Sequence, residues 1–403
     1  MNRRFLIPWK NYSTWIKDGI GFTMSVEDLT SLSRYYGADP GYVIAGGGNT
    51  SFKDETTLYI KGSGTALADV TADSFVRMDR QALSRIWEKN YPQDPEERER
   101  AVLTDMMAAR RSGEERKRPS VETLLHDILP FAYVVHTHPA LVNGLTCSKR
   151  GEEAAVEVFG GKALWIPSTN PGYILSRRVK SAMEGYRAQR GRPAELILLQ
   201  NHGVFVGAGG IAGIKEKYAR IIERLESKIV RRPDFGGALS SWGGSAEIAG
   251  LLGELAGVSS EGKEPWKAVF GRNHEIAALV KDRASFQPVS SSFTPDHIVY
   301  SGSDPLFVET GTGAAADLLR EAWKKQVDKT RRVPKIAALQ GLGVFGIGPS
   351  EKAAKLALEL FMDTVKVAVY AQAFGGERFM SRDQIDFIHN WEVERYRSKV
   401  SAE

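Results

Sequence analysis

Residues 199–205 read LQNHGVF, and this stretch determines how the fold is interpreted. The apolar residues 196–199 fit a short β-strand, and the periodicity from Lys215 to about Arg231 predicts a long helix after the turn. Residues 339–345, LQGLGVF, repeat this pattern between another apolar strand and another long helix. The similarity predicts a degenerate duplication of one β-turn-α unit. The alternative is a chance likeness of two ordinary segments.

The two copies differ at one chemically important position. His202 of the first copy is replaced by Leu342 in the second. An imidazole can bind a metal ion or carry a proton, whereas a leucine side chain can do neither. We therefore expect the chemistry in the first copy and no metal site in the second.

Two further histidines, His136 and His138, stand at the end of the apolar run 133–135. Side chains i and i+2 of a β-strand point to the same face, so both imidazoles can reach one metal ion. His202 also follows an apolar strand, and three histidines with one open position are typical of a catalytic zinc site. The alternative is a hydrogen-bond network at the strand ends.

Glu122 adds a carboxylate to this set. It lies in the first turn of a predicted helix, residues 121–129, which leads directly into the strand of His136, and Ser120 is suited to be the N-cap. The carboxylate either complements the helix dipole or acts as a metal ligand or general base. His126, one turn later, is expected to pack or hydrogen-bond locally.

Two glycine-rich segments form a separate signal. Residues 46–51, GGGNTS, follow a short apolar run at 42–45, and residues 62–65, GSGT, follow a predicted strand at 57–61. Backbone N–H groups in such loops bind anions, and small side chains let a phosphate approach closely. Each segment alone is also compatible with an ordinary turn.

The composition limits the class of protein. The 403 residues are 42% hydrophobic and 26% charged, which is ordinary for a globular protein, and no apolar run approaches the roughly 18 residues of a membrane span. A single cysteine, Cys147, is expected to be a buried apolar residue, and we expect a cytoplasmic protein. The net charge of +5 favours small anionic substrates, while charge runs of mixed sign argue against nucleic acid as a partner.

The order of these features resembles the class II aldolase and adducin family. Two small-residue loops come first, followed by Ser-Val-Glu, His-x-His and Asn-His-Gly. From the helix at Ser25 to Glu392 the chain is similar to the aldolase portion of bifunctional rhamnulose-phosphate aldolase/alcohol dehydrogenases. The segments that carry this resemblance are residues 45–51 (AGGGNTS), 61–64 (KGSG) and 119–126 (PSVETLLH).

The resemblance implies roles for individual residues. His136, His138 and His202 match the family's metal ligands, which implies zinc or another divalent transition metal. Glu122 matches the carboxylate that helps to hold the metal and then serves as the general base. The residues that match the pocket for the substrate phosphate are Gly48, Asn49, Ser63, Gly64 and Ser120.

These roles fit an aldol cleavage. Breaking a C–C bond next to a ketone leaves an enediolate, and a metal chelated by the ketone and hydroxyl oxygens stabilises its negative charge. A nearby carboxylate can move the proton at carbon. We therefore expect a lyase that cleaves a ketose 1-phosphate, such as rhamnulose 1-phosphate, to dihydroxyacetone phosphate and a short aldehyde.

One position departs from the family pattern. Aldolases of this type often have a tyrosine after the Ile-Pro turn, where it can donate a proton to the leaving aldehyde. In this chain Ser168 follows Pro167 at that position, and Tyr173 lies five residues further on. This change affects the aldehyde partner and leaves the metal, base and phosphate positions intact.

The expected fold is α/β, with a class II aldolase-like α/β/α layered domain and a smaller C-terminal α/β portion that resembles a degenerate repeat. We predict a catalytic domain at 1–232, a connector containing Gly and Ser at 233–292, and a portion without metal ligands at 293–403. Relatives often assemble as tetramers, so the resemblance implies a homo-oligomer. The alternatives in function are a sugar-phosphate epimerase or dehydratase with the same residues, and a non-catalytic adducin-like interaction module.

Overall fold

Apolar strands and amphipathic helices alternate along most of the chain, as in an α/β protein. The computed structural model describes residues 25–260, 265–310 and 315–391. Predictions on residues 1–24 and on Glu392 lie outside this range. The strands are β1 (Asn49–Lys53), β2 (Thr57–Lys61), β3 (Phe75–Asp79), β4 (Tyr133–Thr137), β5 (Ala163–Ile166), β6 (Leu196–Leu199), β7 (Gly203–Ala208), β8 (Lys267–Gly271), β9 (Leu306–Val308), β10 (Ile336–Leu339) and β11 (Gly343–Gly348).

The helices cover the faces of the sheets, and none in the described ranges is long and apolar enough to cross a membrane. They are α1 (Val26–Gly37), α2 (Arg80–Ile86), α3 (Pro95–Ala108), α4 (Thr123–Ile128), α5 (Ala140–Thr146), α6 (Gly151–Phe159), α7 (Tyr173–Arg190), α8 (Ile211–Glu226), α9 (Ser245–Ser259), α10 (His274–Leu279), α11 (Arg283–Phe286), α12 (Ala315–Thr330), α13 (Glu351–Ala371) and α14 (Arg382–Asn390).

The first sheet has the strand order β3-β2-β1-β4-β7-β6-β5. Its register brings three functional segments to one end of the central strands. Asn49 at the start of β1 pairs with His136 near the end of β4, and His136 also pairs with Phe205 of β7. The tight connection from β6 to β7, closed by the pair of Leu199 and Gly203, carries His202 to the same end.

The second sheet has the order β8-β11-β10-β9 and repeats the half sheet β4-β7-β6-β5. In each of these four-stranded orders, the first two pairs of neighbouring strands are antiparallel and the third pair is parallel. Phe270 of β8 pairs with Phe345, as His136 pairs with Phe205. The equivalent strand order and register support the predicted duplication, in which the position of His136 is occupied by Phe270.

The two halves share a hydrophobic core. Helix α13 of the second half packs against α5 of the first, and Ala140 and Cys147 are buried in one cluster with Phe361, Val365 and Val369. Cys147 is therefore a core residue, and burial raises the pKa of its thiol to about 12. The second half therefore packs against α5, the helix that begins two residues after His138.

Some local predictions were wrong. Residues 203–208 were expected to be a turn leading into the long helix, but they form β7. Residues 46–51 were expected to be a loop, but the polar segment Asn49 to Ser51 belongs to β1. Its hydroxyls are satisfied inside the core, because Thr50 bonds Ser33 at 2.6 Å and Ser51 bonds His126 at 2.7 Å. Helix α4 begins at Thr123, so Glu122 is its N-cap residue instead of lying in its first turn.

The segment 233–292 contains regular structure. It includes α9, α10, α11 and β8, and β8 is the edge strand of the second sheet. These elements stand where α4, α5, α6 and β4 stand in the first half. The predicted domain boundaries at 232 and 292 stay predictions. The second sheet, which forms the repeated unit, already includes β8 and therefore begins before residue 293.

Lys53 gives the fold a pH dependence that can be measured. It is 2% exposed and donates a hydrogen bond of 2.5 Å to the carbonyl of His126, and burial, helped by Arg80 and opposed by Asp127, lowers its pKa to about 7. An unfolded chain keeps this proton up to a pH of about 10.4. Between these values the unfolded state binds more protons, so burial of Lys53 destabilises the fold less as the pH rises.

We therefore expect the free energy of unfolding of the wild type to rise, relative to Lys53→Met, by up to about 1.4 kcal/mol per pH unit between pH 7 and 10. Chemical denaturation of both proteins at several pH values measures this difference. Lys352→Met, at an exposed lysine, should follow the wild-type profile. Parallel profiles of the wild type and Lys53→Met would contradict the expectation.

Candidate active site

Three histidines converge at the end of the first sheet. His136 lies in β4, His138 follows this strand, and His202 lies in the turn between β6 and β7. One ring nitrogen from each lies within 4.8 Å of the others, and the Nε2 atoms of His136 and His138 are 2.9 Å apart. His136 is fully buried, while the other two side chains are about one-tenth exposed, so the cluster opens on one side.

The hydrogen bonds of the rings fix which nitrogen faces the cluster. Nδ1 of His136 is 3.0 Å from the carbonyl oxygen of Val204, which can only accept, so Nδ1 carries the proton. Nδ1 of His138 is 2.5 Å from Oδ2 of Asp296, and an ionised carboxylate likewise only accepts. In the neutral rings both Nε2 lone pairs then point at each other, an arrangement that a cation between them stabilises.

Glu122 closes the cluster on another side. Its Oε2 accepts a hydrogen bond of 2.7 Å from the amide of Asn49 and lies 3.3 Å from Nε2 of His136. Its Oε1 lies 3.6 Å from Nε2 of His202, is buried, and has no hydrogen-bond partner. A buried carboxylate oxygen without a partner is costly, and a metal ion is one group that would satisfy it.

The donor set therefore fits a divalent transition metal. Three imidazole nitrogens and a carboxylate oxygen are ligands that zinc accepts in catalytic sites, and imidazole suits cobalt, nickel or iron as well. Metal binding requires neutral imidazole. Burial lowers the pKa of His202 to about 3, because its effect is larger than the opposite effect of the nearby Glu122 carboxylate.

A buried network holds Glu122 in place. Nδ2 of Asn49 also lies 3.2 Å from Oγ of Ser120, which accepts the backbone N–H of Glu122 at 3.2 Å. Oδ1 of Asn49 accepts from Nε2 of His126, whose Nδ1 accepts from the hydroxyl of Ser51 at 2.7 Å. Burial keeps the pKa of His126 well below its usual value, so the ring is neutral and its single proton is on Nε2.

This network changes the interpretation of two residues. His126, expected to pack or bond locally, is bonded to Asn49, which is distant in sequence. The amide of Asn49 is engaged by Glu122, Ser120 and His126, so its contacts in this structure position the carboxylate. The sequence signal for such a network was a histidine next to apolar residues of the predicted helix.

A pocket adjoins the open side of the cluster. It is lined by all five residues assigned to phosphate binding, which are Gly48, Asn49, Ser63, Gly64 and Ser120. Glu122, His138 and His202 line the same pocket, together with Lys61 and Pro295, which sequence reasoning did not identify. The individual roles of these residues stay predictions.

Ser168, at the position of the family tyrosine, and Tyr173 both lie outside this pocket. Ser168 exchanges hydrogen bonds with the side chain of Gln384, at 2.8 and 3.2 Å. The ring of Tyr173 packs against Trp87 and Tyr91 in another cluster and does not line the pocket. Tyr173 therefore does not take the place of the family tyrosine in this structure.

The chain was compared with known proteins, and one curated relative is similar over most of its length. The chain is 24% identical to "Uncharacterized oxidoreductase YuxG" of Bacillus subtilis (strain 168) over 409 aligned positions. The match covers 92% of this chain and 58% of that protein, so the chain spans little more than half of this relative.

Solved structures that resemble the chain cover about half of it. The N-terminal class II aldolase domain of a Thermoplasma acidophilum protein has 24% identity and a TM-score of 0.44, covering 52% of this chain and 95% of that one. YgbL of Klebsiella pneumoniae has 17% identity and a TM-score of 0.37, covering 52% and 90%.

The family model described as "Class II Aldolase and Adducin N-terminal domain" matches residues 27–223. This range contains α1 except its first residue, the whole first sheet and the cluster of His136, His138, His202 and Glu122. Residues 27–223 therefore belong to the class II aldolase and adducin family.

Proposed function

We propose that the protein is a zinc-dependent lyase that cleaves a ketose 1-phosphate to dihydroxyacetone phosphate and a short aldehyde. Rhamnulose 1-phosphate is the example that the sequence resemblance favours. The observation that carries the proposal is the position of Glu122. This buried carboxylate, with one oxygen lacking a hydrogen bond, lies between a three-histidine cluster and a pocket of small residues.

The pocket supplies binding away from the reacting bond. Gly62, Ser63 and Gly64 present backbone and a short side chain to the space next to Glu122. Lys61, 4% exposed, adds a positive charge beside this loop and donates to the carbonyl of Thr65 at 2.6 Å. A phosphate bound there holds the sugar so that its ketone end reaches the histidines.

A divalent metal held by His136, His138 and His202 would supply positive charge to the ketone and hydroxyl oxygens next to the scissile bond and so stabilise the charge that develops there. Glu122 moves the proton at carbon. In the direction of cleavage it returns a proton to the carbon that has lost the aldehyde, and in the reverse direction it removes this proton. Asn49 orients the carboxylate for both directions by its hydrogen bond to Oε2.

A sugar-phosphate epimerase or dehydratase is the second candidate. The observation that favours it is the lack of a tyrosine at position 168, together with the packing of Tyr173 outside the pocket. Both reactions would use the same histidines and Glu122.

The expected homo-oligomer and the expected cytoplasmic location of the protein stay predictions.

Metal binding is the first testable consequence. Protein stripped with a chelator should bind one zinc ion per chain in a competition titration with a metal-sensitive dye. His138→Ala and His202→Ala should each lose more affinity than the roughly 10- to 100-fold that loss of an outer-shell partner costs. His274→Ala, at a histidine paired with Asp234 outside the pocket, should bind as the wild type does. Wild-type affinity in both site variants would contradict the assignment.

Proton transfer by Glu122 can be tested without knowing the aldehyde. Zinc-loaded protein incubated with dihydroxyacetone phosphate in D₂O should exchange one carbon-bound proton stereospecifically, as followed by NMR. Glu122→Gln, which keeps the size of the side chain, should slow this exchange by about 100-fold or more. Glu184→Gln, at an exposed glutamate on α7, serves as the control. No exchange by the zinc-loaded wild type would refute dihydroxyacetone phosphate as the product.

The phosphate pocket predicts an effect on substrate binding. Ser63→Asp places a negative charge in the pocket, where it repels a phosphate, so KM for the phosphorylated substrate should rise at least tenfold while zinc affinity stays unchanged. Ser181→Asp introduces the same charge at an exposed position of α7 and should leave KM unaltered. Equal KM values for the two variants would place the phosphate elsewhere.

A further inference from the structure

Asp296 connects the second half of the chain to the histidine cluster. Its Oδ2 lies 2.5 Å from Nδ1 of His138, and both side chains are at least nine-tenths buried. We propose that Asp296 is a positioning residue for the metal site, which holds the Nδ1 proton of His138 and so presents Nε2 as the ligand. The proposal rests on the proposed function and adds a residue from outside the family-matched range.

The chemistry of the two partners determines the tautomer. A neutral imidazole has one N–H, and an ionised carboxylate offers only acceptor oxygens. The proton of His138 therefore belongs on Nδ1, which leaves Nε2 with its lone pair towards His136. His136 is oriented in the same way by the carbonyl of Val204, but there the acceptor comes from the neighbouring strand of the same sheet. His138 lies beyond the end of β4 and depends on Asp296 for this contact.

The chain leaves room for this contact at Gly47. A Cβ atom at position 47 would lie 2.6 Å from Oδ2 of Asp296 and 3.3 Å from Nδ1 of His138. Any side chain there would push the carboxylate away from the ring. The glycine is therefore required by the packing of Asp296 on His138, independently of any role in binding an anion.

The segment that carries Asp296 is held firmly. It leads into a short π-helix, His297–Ser301, whose first residue bonds Asp363 of α13 at 3.1 Å through Nε2. Lys335 donates a hydrogen bond of 2.5 Å to the carbonyl of Val299. These contacts tie the π-helix to α13 and to Lys335, the residue directly before β10, and so hold the backbone that follows Asp296.

The same segment is tied to the turn of His202. The amide of Asn201 donates to the carbonyl of Phe293 at 3.1 Å and to that of Arg378 at 2.8 Å. Both acceptors belong to the second half of the chain. The duplicated half thus contacts two of the three metal-site segments, at His138 directly and next to His202.

The tautomer of His138 tests the proposal without metal or substrate. In metal-free protein labelled with ¹⁵N-histidine, two-dimensional NMR at one fixed pH should show the proton of His138 on Nδ1. Asp296→Ala should convert His138 to a mixture of tautomers, and Asp296→Asn, which keeps one acceptor oxygen, should give an intermediate result. A purely structural role would lower thermal stability without changing the tautomer. An unchanged tautomer in Asp296→Ala overturns the proposal.

Zinc affinity provides the second readout. Asp296→Ala should bind zinc roughly 10- to 100-fold more weakly than the wild type, with a smaller loss for Asp296→Asn. Asp304→Asn is the matched control, because Asp304 pairs with Arg382 in the same half but outside the pocket, and it should retain wild-type affinity. Equal affinities of Asp296→Ala and the wild type would refute the positioning role. If the wild type itself bound no zinc, the proposed function would fail, and the tautomer would still decide the role of Asp296.

Gly47→Ala tests the contact between Asp296 and His138 without replacing Asp296. The added methyl group should displace the carboxylate, so the variant should show the same shift of tautomer and a loss of zinc affinity in the same direction. This variant also covers the case in which Asp296→Ala fails to fold. A Gly47→Ala protein with the wild-type tautomer and wild-type zinc affinity would contradict the packing argument.

Discussion

The burial of one carboxylate beside three imidazoles is the constraint on which the rest of the site depends. Removing such groups from water is costly unless each finds a partner. The surrounding structure supplies these partners one by one, with Asn49 on Glu122, Val204 on His136 and Asp296 on His138. The atom left without a hydrogen bond, Oε1 of Glu122, faces the place where a cation fits. The burial of this oxygen is therefore costly unless a further group satisfies it.

The second half keeps the sheet of the first half without its histidines. Its sheet keeps the strand order and register of the first, while Phe270 and Leu342 occupy the positions of His136 and His202. Apolar side chains there remove the burial cost and leave a stable scaffold. The core shared by α5 and α13 then fixes this scaffold next to the first sheet, close enough for Asp296 to reach His138.

The sequence predicted the parts of the site that depend on local spacing. The spacing of His136 and His138 at the end of β4 follows from strand periodicity. The α/β class and the repeat were visible for the same reason. The strand β7 after His202 was missed, because its glycine-rich start reads as a turn that leads into the following helix. The start of β1 was missed because Asn49 to Ser51 are polar residues in a buried strand, where side-chain hydrogen bonds to residues distant in sequence make their burial possible.

Long-range partners could not be predicted in this way. Nothing in the local sequence distinguishes Asp296 from other aspartates, because its contact with His138 depends on how the two halves pack. The same applies to His126, whose bond to Asn49 joins α4 to β1. Each of these contacts is set by tertiary structure, which local periodicity does not encode.

The glycines of the site show how two constraints can act on one motif. Gly48 has a φ of +66°, and a Cβ atom there would lie 2.7 Å from the carbonyl oxygen of His136. A Cβ atom at Gly203 would lie 2.6 Å from the ring of His138. Together with Gly47, these positions let the backbone pack directly against the metal-site histidines. Gly47 and Gly48, which indicate an anion-binding loop in the sequence, are thus also required for the histidines to converge, because a larger side chain at either position would push against Asp296 or against the backbone of His136.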